Sequence, residues 1–201
     1  DVLSSRGLGD VYKRQVKTAS GAAIGTDTKM TYEVMHGNFS LLPNDTLQKI
    51  VHKNLEDLGG ITYDEDEYEY ASEIYTTFFE PDNEIGSQEL VRPFKTSHGY
   101  GSTDVGDVSW NVPTAGLRTA TWVPGTASHS WQSVDSGGTY IVLKGAELAA
   151  KTLEKSAIEI FSDVSIVEDS KKELLSRVGD DFEYKPLLGD REPPLNYRKV
   201  N

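Results

Sequence analysis

At 201 residues, with three Trp, ten Tyr and six Phe, the chain holds enough apolar material for a packed core, in one large domain or parts of two. A net charge of −12 and a pI near 4.7 argue against nucleic acid and anionic membranes as partners, because both are held by clustered Lys and Arg. With no cysteine there is neither a disulfide framework nor a thiolate metal site, so any metal must be held by His, Asp or Glu. No apolar run approaches the roughly 18 residues that span a bilayer and no signal-peptide core opens the chain, so a cytoplasmic location is expected.

The first stretch, "DVLSSRGLGDVYKRQ" (Asp1 to Gln15), does not lead naturally into the residues after it, and "LGDVYKRQ" looks like a translated sequencing-adapter tail. It is set aside from fold reasoning, which implies a chain truncated at its N-terminus. From Thr28 to Ser40, "TKMTYEVMHGNFS" is rich in β-branched and aromatic residues and reads as a strand kinked at Gly37. Next, "NDTLQKIVHKNLEDLGG" carries the marks of a helix. Asn44 or Asp45 caps it, Gln48 stands three after Asp45 as in a capping box, and Leu47, Ile50, Val51, Leu55 and Leu58 recur at helical spacing before Gly59 ends it. A strand followed by such a helix is what half of a small α+β sandwich would show.

The acidic run Asp64 to Glu67 reads as the solvated first turn of a second helix whose apolar stripe is Tyr68, Ala71, Tyr75 and Phe78. Residues 81 to 107 are rich in Gly, Pro, Ser, Asp and Asn and read as a long loop. "LRTATWV" is the clearest strand, with Leu117, Thr119, Thr121 and Val123 on one face and Arg118, Ala120 and Trp122 on the other. Further on, Ala146, Ala149, Ala150, Leu153, Ala157, Ile160 and Phe161 mark a long helix, starting as early as Gly138, whose alanines suggest close packing against a sheet. A short helix from about Asp169 to Val178 precedes an extended, proline-bearing tail.

Four histidines, His36, His52, His98 and His129, are scattered without the spacings that bring ligands together on one element. His52 falls on the polar side of its helix, and His36 sits in the expected strand as a packed or edge residue. His98 lies in "KTSHGYGSTD", where Gly99 and Gly101 would let backbone approach a ligand. In "GYGSTDVGDVSW", Asp104 and Asp107 with Gly101, Ser102 and Thr103 could bind a cation, a substrate amine or a carboxylate. The same residues could equally form a turn-rich loop whose aspartates satisfy their own backbone. His129 follows the expected strand end and a Pro-Gly turn, a place where sheets present site residues, and alone it could be a ligand, a packed imidazole or a surface residue. No nucleophile elbow, phosphate loop or dinucleotide fingerprint is present.

"GSTDVGDVSWNVPT", then "TATWVPGTASHSWQ" and "LKGAELAAKTL", resemble the C-terminal part of the p-aminobenzoyl-glutamate hydrolase-like amidohydrolases, aminoacylase-type metallopeptidases of family M-twenty. The upstream "ASGAAIGTDTKMTYEVMHGNFSLLPNDTLQKIVHKNLEDLG" is similar to the latter half of that family's lid, or dimerisation, domain. The resemblance implies an α/β fold, with residues 16–62 a partial α+β lid, 63–201 the C-terminal part of the catalytic domain, and 1–15 outside any domain.

It further implies two zinc or manganese ions that activate water against an amide carbonyl, a small carboxylate-bearing amide as substrate and a homodimer formed through the lid. The family's last metal ligand matches His129. His98, Gly101, Ser102, Asp104 and Asp107 are carried beside it as candidate substrate-binding residues. The family's other ligands and its general-base Glu find no counterpart here, so the chain is expected to be inactive alone. A non-catalytic acidic module that dimerises through Thr28 to Leu58, and an N-acyl-amino-acid or dipeptide hydrolase, are the alternatives.

Overall fold

Every regular element among the described residues is a helix. The computed structural model describes residues 8–99, 101, 103–188, 192, 195 and 198. The helices are α1 (Leu8–Gly25), α2 (Asp45–Leu58), α3 (Glu65–Tyr75), α4 (Val105–Ser109), α5 (Trp131–Ser136), α6 (Tyr140–Ser162) and α7 (Val164–Val178), with a 3-10 turn at Ser87–Glu89. No helix among them is long and apolar enough to cross a membrane. The chain divides into two units, one of Asp1–Leu41, Ser102–Asp107 and Glu183–Asn201, the other of Leu42–Gly101 and Val108–Phe182.

The expected α/β architecture is overturned, because no sheet and no strand occurs among the described residues. A strand needs a ladder of backbone partners; along 28–40 the Gly37 N–H donates to the Leu187 carbonyl at 2.8 Å, but neither that segment nor Leu117–Val123 is a strand. The two-sided character of the second segment holds in part. Leu117, Thr119 and Thr121 are half-buried and Val123 is buried, while Arg118 and Trp122 are exposed, but Ala120, expected on the outer face, is half-buried as well. The inner side lies on a helix, not beside a strand. A Cβ on Gly145 of α6 would stand 2.4 Å from the Ala120 carbonyl oxygen and 2.7 Å from Thr121 Cγ2, so the segment and the helix backbone approach as only glycine permits.

In the larger unit α2 begins where its capping residue dictates. Asn44 accepts the Leu47 N–H at 3.1 Å and donates to the Ser170 carbonyl at 2.9 Å, and Gly59, at φ +82°, closes the helix. Gln48 does not form the expected box. Its side chain exchanges hydrogen bonds with the Gly116 backbone, and Glu173 of α7 instead takes the N–H groups of Asp45 and Thr46 at 2.8 and 2.9 Å. The capping box appears on α3, where Asp64 and Glu67 satisfy each other's backbone.

Two expected stripes are corrected. On α3 the interior takes Glu67, Ala71 and Ile74, while Tyr68 is exposed. On α6 the interior takes Ile141, Gly145, Thr152 and Ser156, the last accepting from Asn54 of α2 at 3.2 Å, while Ala146, Ala150, Leu153 and Phe161 stay outside. Small hydroxyl residues can be buried at little polar cost because they bond back to their own helix: Thr152 Oγ1 to the Leu148 carbonyl and Ser156 Oγ to the Thr152 carbonyl, both at 2.7 Å. Helix α7 starts at Val164, capped by Asp163, five residues before the expected position. Helix α4 starts inside the segment read as a loop, α5 forms where no element was expected, and α1 runs unbroken from Leu8 through the adapter-like stretch. The hydrophobic centre joins α3, the 117–123 segment and α6 through Ala71, Ile74, Val123 and Ile141, ringed by Tyr63, Tyr70, Tyr75, Phe78 and Ile85.

The smaller unit is fastened by Asp107. Its carboxylate accepts the Phe39 N–H at 3.2 Å and the Tyr184 hydroxyl at 2.9 Å, with the Phe39 and Tyr184 rings 5.5 Å apart. Gly106 lies so close to the Phe39 carbonyl that a side chain there would collide with it.

Candidate metal-ligand loop around His129

The loop bearing His129 is held at both ends. Val123 to Thr126 form a turn in which the Thr126 N–H and hydroxyl both donate to the Val123 carbonyl, at 3.0 and 2.7 Å, with Pro124 buried and Gly125 at φ +91°. A Cβ on Gly125 would meet Pro81 at 2.7 Å, so the turn sits directly on the chain leaving α3. On the far side Ser130 caps α5, accepting the Ser133 N–H at 3.2 Å while donating to the Ala127 carbonyl at 2.7 Å. Gln132 then donates to Thr77 at 3.2 Å.

Between these anchors His129 is exposed and adopts φ +60°, the left-handed region that glycine favours. Such strain persists only where the surroundings enforce it, and it gathers at functional positions. Replacing His129 with Gly should therefore raise stability by roughly 0.5–1 kcal/mol in urea denaturation. A loss of stability instead would show that the imidazole makes native contacts.

The other candidate residues are dispersed between the two units. His98 and Gly101 are exposed in the larger one. Ser102 lies outside the described residues. Asp104 is exposed in the smaller unit, where its carbonyl accepts the Asp107 N–H at 3.1 Å, and the Asp107 carboxylate is engaged by Phe39 and Tyr184. Among the described residues no three His, Asp or Glu side chains gather as a metal-holding group. Structural zinc takes four protein ligands and catalytic zinc typically three, so His129 with its described neighbours does not constitute a metal centre.

One charged cluster was not legible as a unit in the sequence. Glu67, expected to be solvated, is only 6% exposed; it receives the Asp64 N–H at 2.9 Å and pairs with Lys144, which also donates to the Thr62 carbonyl at 3.1 Å. The hydrogen bond to Glu67 holds the Lys144 ammonium above its ordinary value against the opposing effect of burial. Beside it the Tyr63 phenol is pushed up to about 12, first by burial and then by the charge of Glu67. The only advance sign was the capping-box spacing, which fixes where Glu67 starts but not that a lysine 77 residues later meets it.

No family model matches the chain, and no solved structure does. An alignment of 188 residues, covering 81% of this chain but only 39% of the other protein, relates it at 29% identity to a subunit of p-aminobenzoyl-glutamate hydrolase from Escherichia coli (strain K12). The chain thus spans about two fifths of the length of this relative, and it is to that hydrolase subunit that its sequence is similar.

Proposed function

We propose that the chain forms part of a metal-dependent amidohydrolase that cleaves an amide bond in a carboxylate-bearing compound such as p-aminobenzoyl-glutamate. The observation that carries this reading is the match to a p-aminobenzoyl-glutamate hydrolase subunit across 81% of the chain. In it His129 is one imidazole ligand of a zinc or manganese site. Support for that role comes from its exposure, its enforced left-handed backbone and its anchoring between the Pro-Gly turn and the α5 cap. The described residues do not complete such a centre, so no catalytic step is assigned to them.

The test is release of glutamate from p-aminobenzoyl-glutamate by the gene product that carries this chain, with and without a chelator. Chelation should abolish release and metal should restore it. His129→Ala should lower kcat/KM at least about a hundredfold, since even residues that merely orient metal ligands cost 10–100-fold. Absence of glutamate release, or release indifferent to both the chelator and the substitution, overturns the proposal.

A further inference from the structure

His129 stands just before α5, so the place of its imidazole depends on where that helix begins. Helix α5 has only 6 residues, about a turn and a half, too few to hold a helix by itself in water, so it takes its position from its neighbours. Helix α3 supplies it. The Tyr70 hydroxyl donates to the Asp135 carboxylate at 2.7 Å and lies 3.4 Å from the Ser136 hydroxyl, and just past the end of α3 Thr77 accepts from Gln132 at 3.2 Å. Tyr70 thus meets residues 135 and 136 while Thr77 meets 132, an opposite order along the two elements, and a slide of α5 along α3 would break both contacts.

We infer that Tyr70 and Asp135 are positioning residues for His129, acting through α5; as a role in metal binding, this rests on the reading proposed above. The Tyr70 ring packs against the hydrophobic centre of Ala71, Ile74, Val123 and Ile141, which makes its hydroxyl a fixed point. Hydrogen bonds from a hydroxyl to a carboxylate are stronger than those between neutral groups. From Asp135 the constraint runs back along α5. The Ser136 hydroxyl donates to the Gln132 carbonyl at 2.9 Å, and Ser130 caps the helix while holding the Ala127 carbonyl.

His129 lies between Ala127 and Ser130 at φ +60°, where few other conformations are open to it. At the other end of the loop Val123 belongs to the same hydrophobic centre as the Tyr70 ring, so both ends refer to one rigid body. An exposed imidazole is thereby given a fixed place without being buried. That matters for a ligand, because a displacement of about 1 Å can cost on the order of a hundredfold in rate. The Tyr70–Asp135 bond faces solvent, so its loss should shift α5 locally while barely moving the melting temperature.

Tyr70→Phe keeps the ring and removes the hydroxyl, Asp135→Ala removes the acceptor, and Asp135→Asn keeps an oxygen that can accept. In the gene product that carries this chain, the metal concentration for half-maximal glutamate release should rise roughly tenfold in Tyr70→Phe and in Asp135→Ala. It should rise no further in the double variant and stay near wild type in Asp135→Asn. Nuclear magnetic resonance of the chain itself gives a readout independent of activity: the His129 backbone and imidazole signals should move in Tyr70→Phe and Asp135→Ala and hold in Asp135→Asn, while those of Val51 on α2 stay put. A wild-type protein that releases no glutamate defeats the amidohydrolase reading, and the His129 signals then decide the positioning role alone. Unmoved His129 signals overturn the inference. So does a metal requirement unchanged in Tyr70→Phe when the wild type responds to chelator, even if the melting temperature falls, since Tyr70 would then be merely structural.

Discussion

Glu173→Gln is expected to be among the most destabilising substitutions that leave the hydrophobic interior intact, at roughly 2–3 kcal/mol in urea or thermal denaturation. The Glu173 carboxylate reaches from α7 to the start of α2, where it accepts the Asp45 N–H, the Thr46 N–H and the Thr46 hydroxyl at 2.7–2.9 Å, and Arg177 lies 2.7 Å away. Burial works to raise its pKa, but the Thr46 hydroxyl, the two N–H groups and the Arg177 charge prevail and hold it down to about 2 from an ordinary 4.5.

The folded-state value is depressed, so the stabilisation is fully present above the unfolded value and is lost as pH falls from about 4.5 toward 2. Acid denaturation of the wild-type chain should steepen across that window, and Glu173→Gln should flatten it. Thr46→Val, which removes only the hydroxyl donor, should cost about 1 kcal/mol. An unchanged acid limb in Glu173→Gln would show that this capping does not couple α7 to α2.

Gly145→Ala should cost about 2–3 kcal/mol, although by helix propensity alone it should gain about 1 kcal/mol. The new methyl would stand 2.4 Å from a backbone oxygen and 3.0 Å from the carbonyl carbon of Ala120, with Thr121 Cγ2 at 2.7 Å, and backbone cannot swing aside as a flexible side chain can. Packing therefore outweighs propensity. Because the displaced segment leads into Val123 and the turn before His129, nuclear magnetic resonance shifts at Thr126 and His129 should move as well. Ala150→Gly, on the outer face of the same helix, isolates the propensity effect and should cost about 1 kcal/mol. If Gly145→Ala proved stabilising, the 117–123 segment would have to lie farther from α6.

Local signals in the chain are legible where they depend on near neighbours. The Asn44 cap and Gly59 stop of α2, the start of α3 in the acidic run at Asp64 and the end of α7 at Val178 follow from backbone groups within a few residues. The sidedness of Leu117–Val123 is legible in part, since period-two alternation separates Val123 from the exposed Arg118 and Trp122 but misplaces the half-buried Ala120. The partner is not. Alternation is equally served by a strand or by a helix lying against one side, and here a helix with a glycine at the crossing supplies it, which removes the sheet and the α/β fold with it.

Helix α6 shows the same division. Its sequence announces an apolar stripe from Ala146 to Phe161, yet the fold buries a different face, where Gly145 admits the 120–121 segment, Ser156 accepts from Asn54 of α2, and the Thr152 and Ser156 hydroxyls bond back to their own helix. By itself the sequence determined the acidic balance, the absence of cysteine, the Asn44 cap with the Gly59 stop, and the likeness to a hydrolase subunit. Tertiary structure alone decided which apolar face is interior, that Glu173 rather than Gln48 serves α2, that Glu67 is buried against Lys144, and that His129 is held exposed in a left-handed turn. The physical reason is one of range. Caps and periodicities are settled by atoms a few bonds away, whereas burial depends on which distant segment arrives and how closely it can approach.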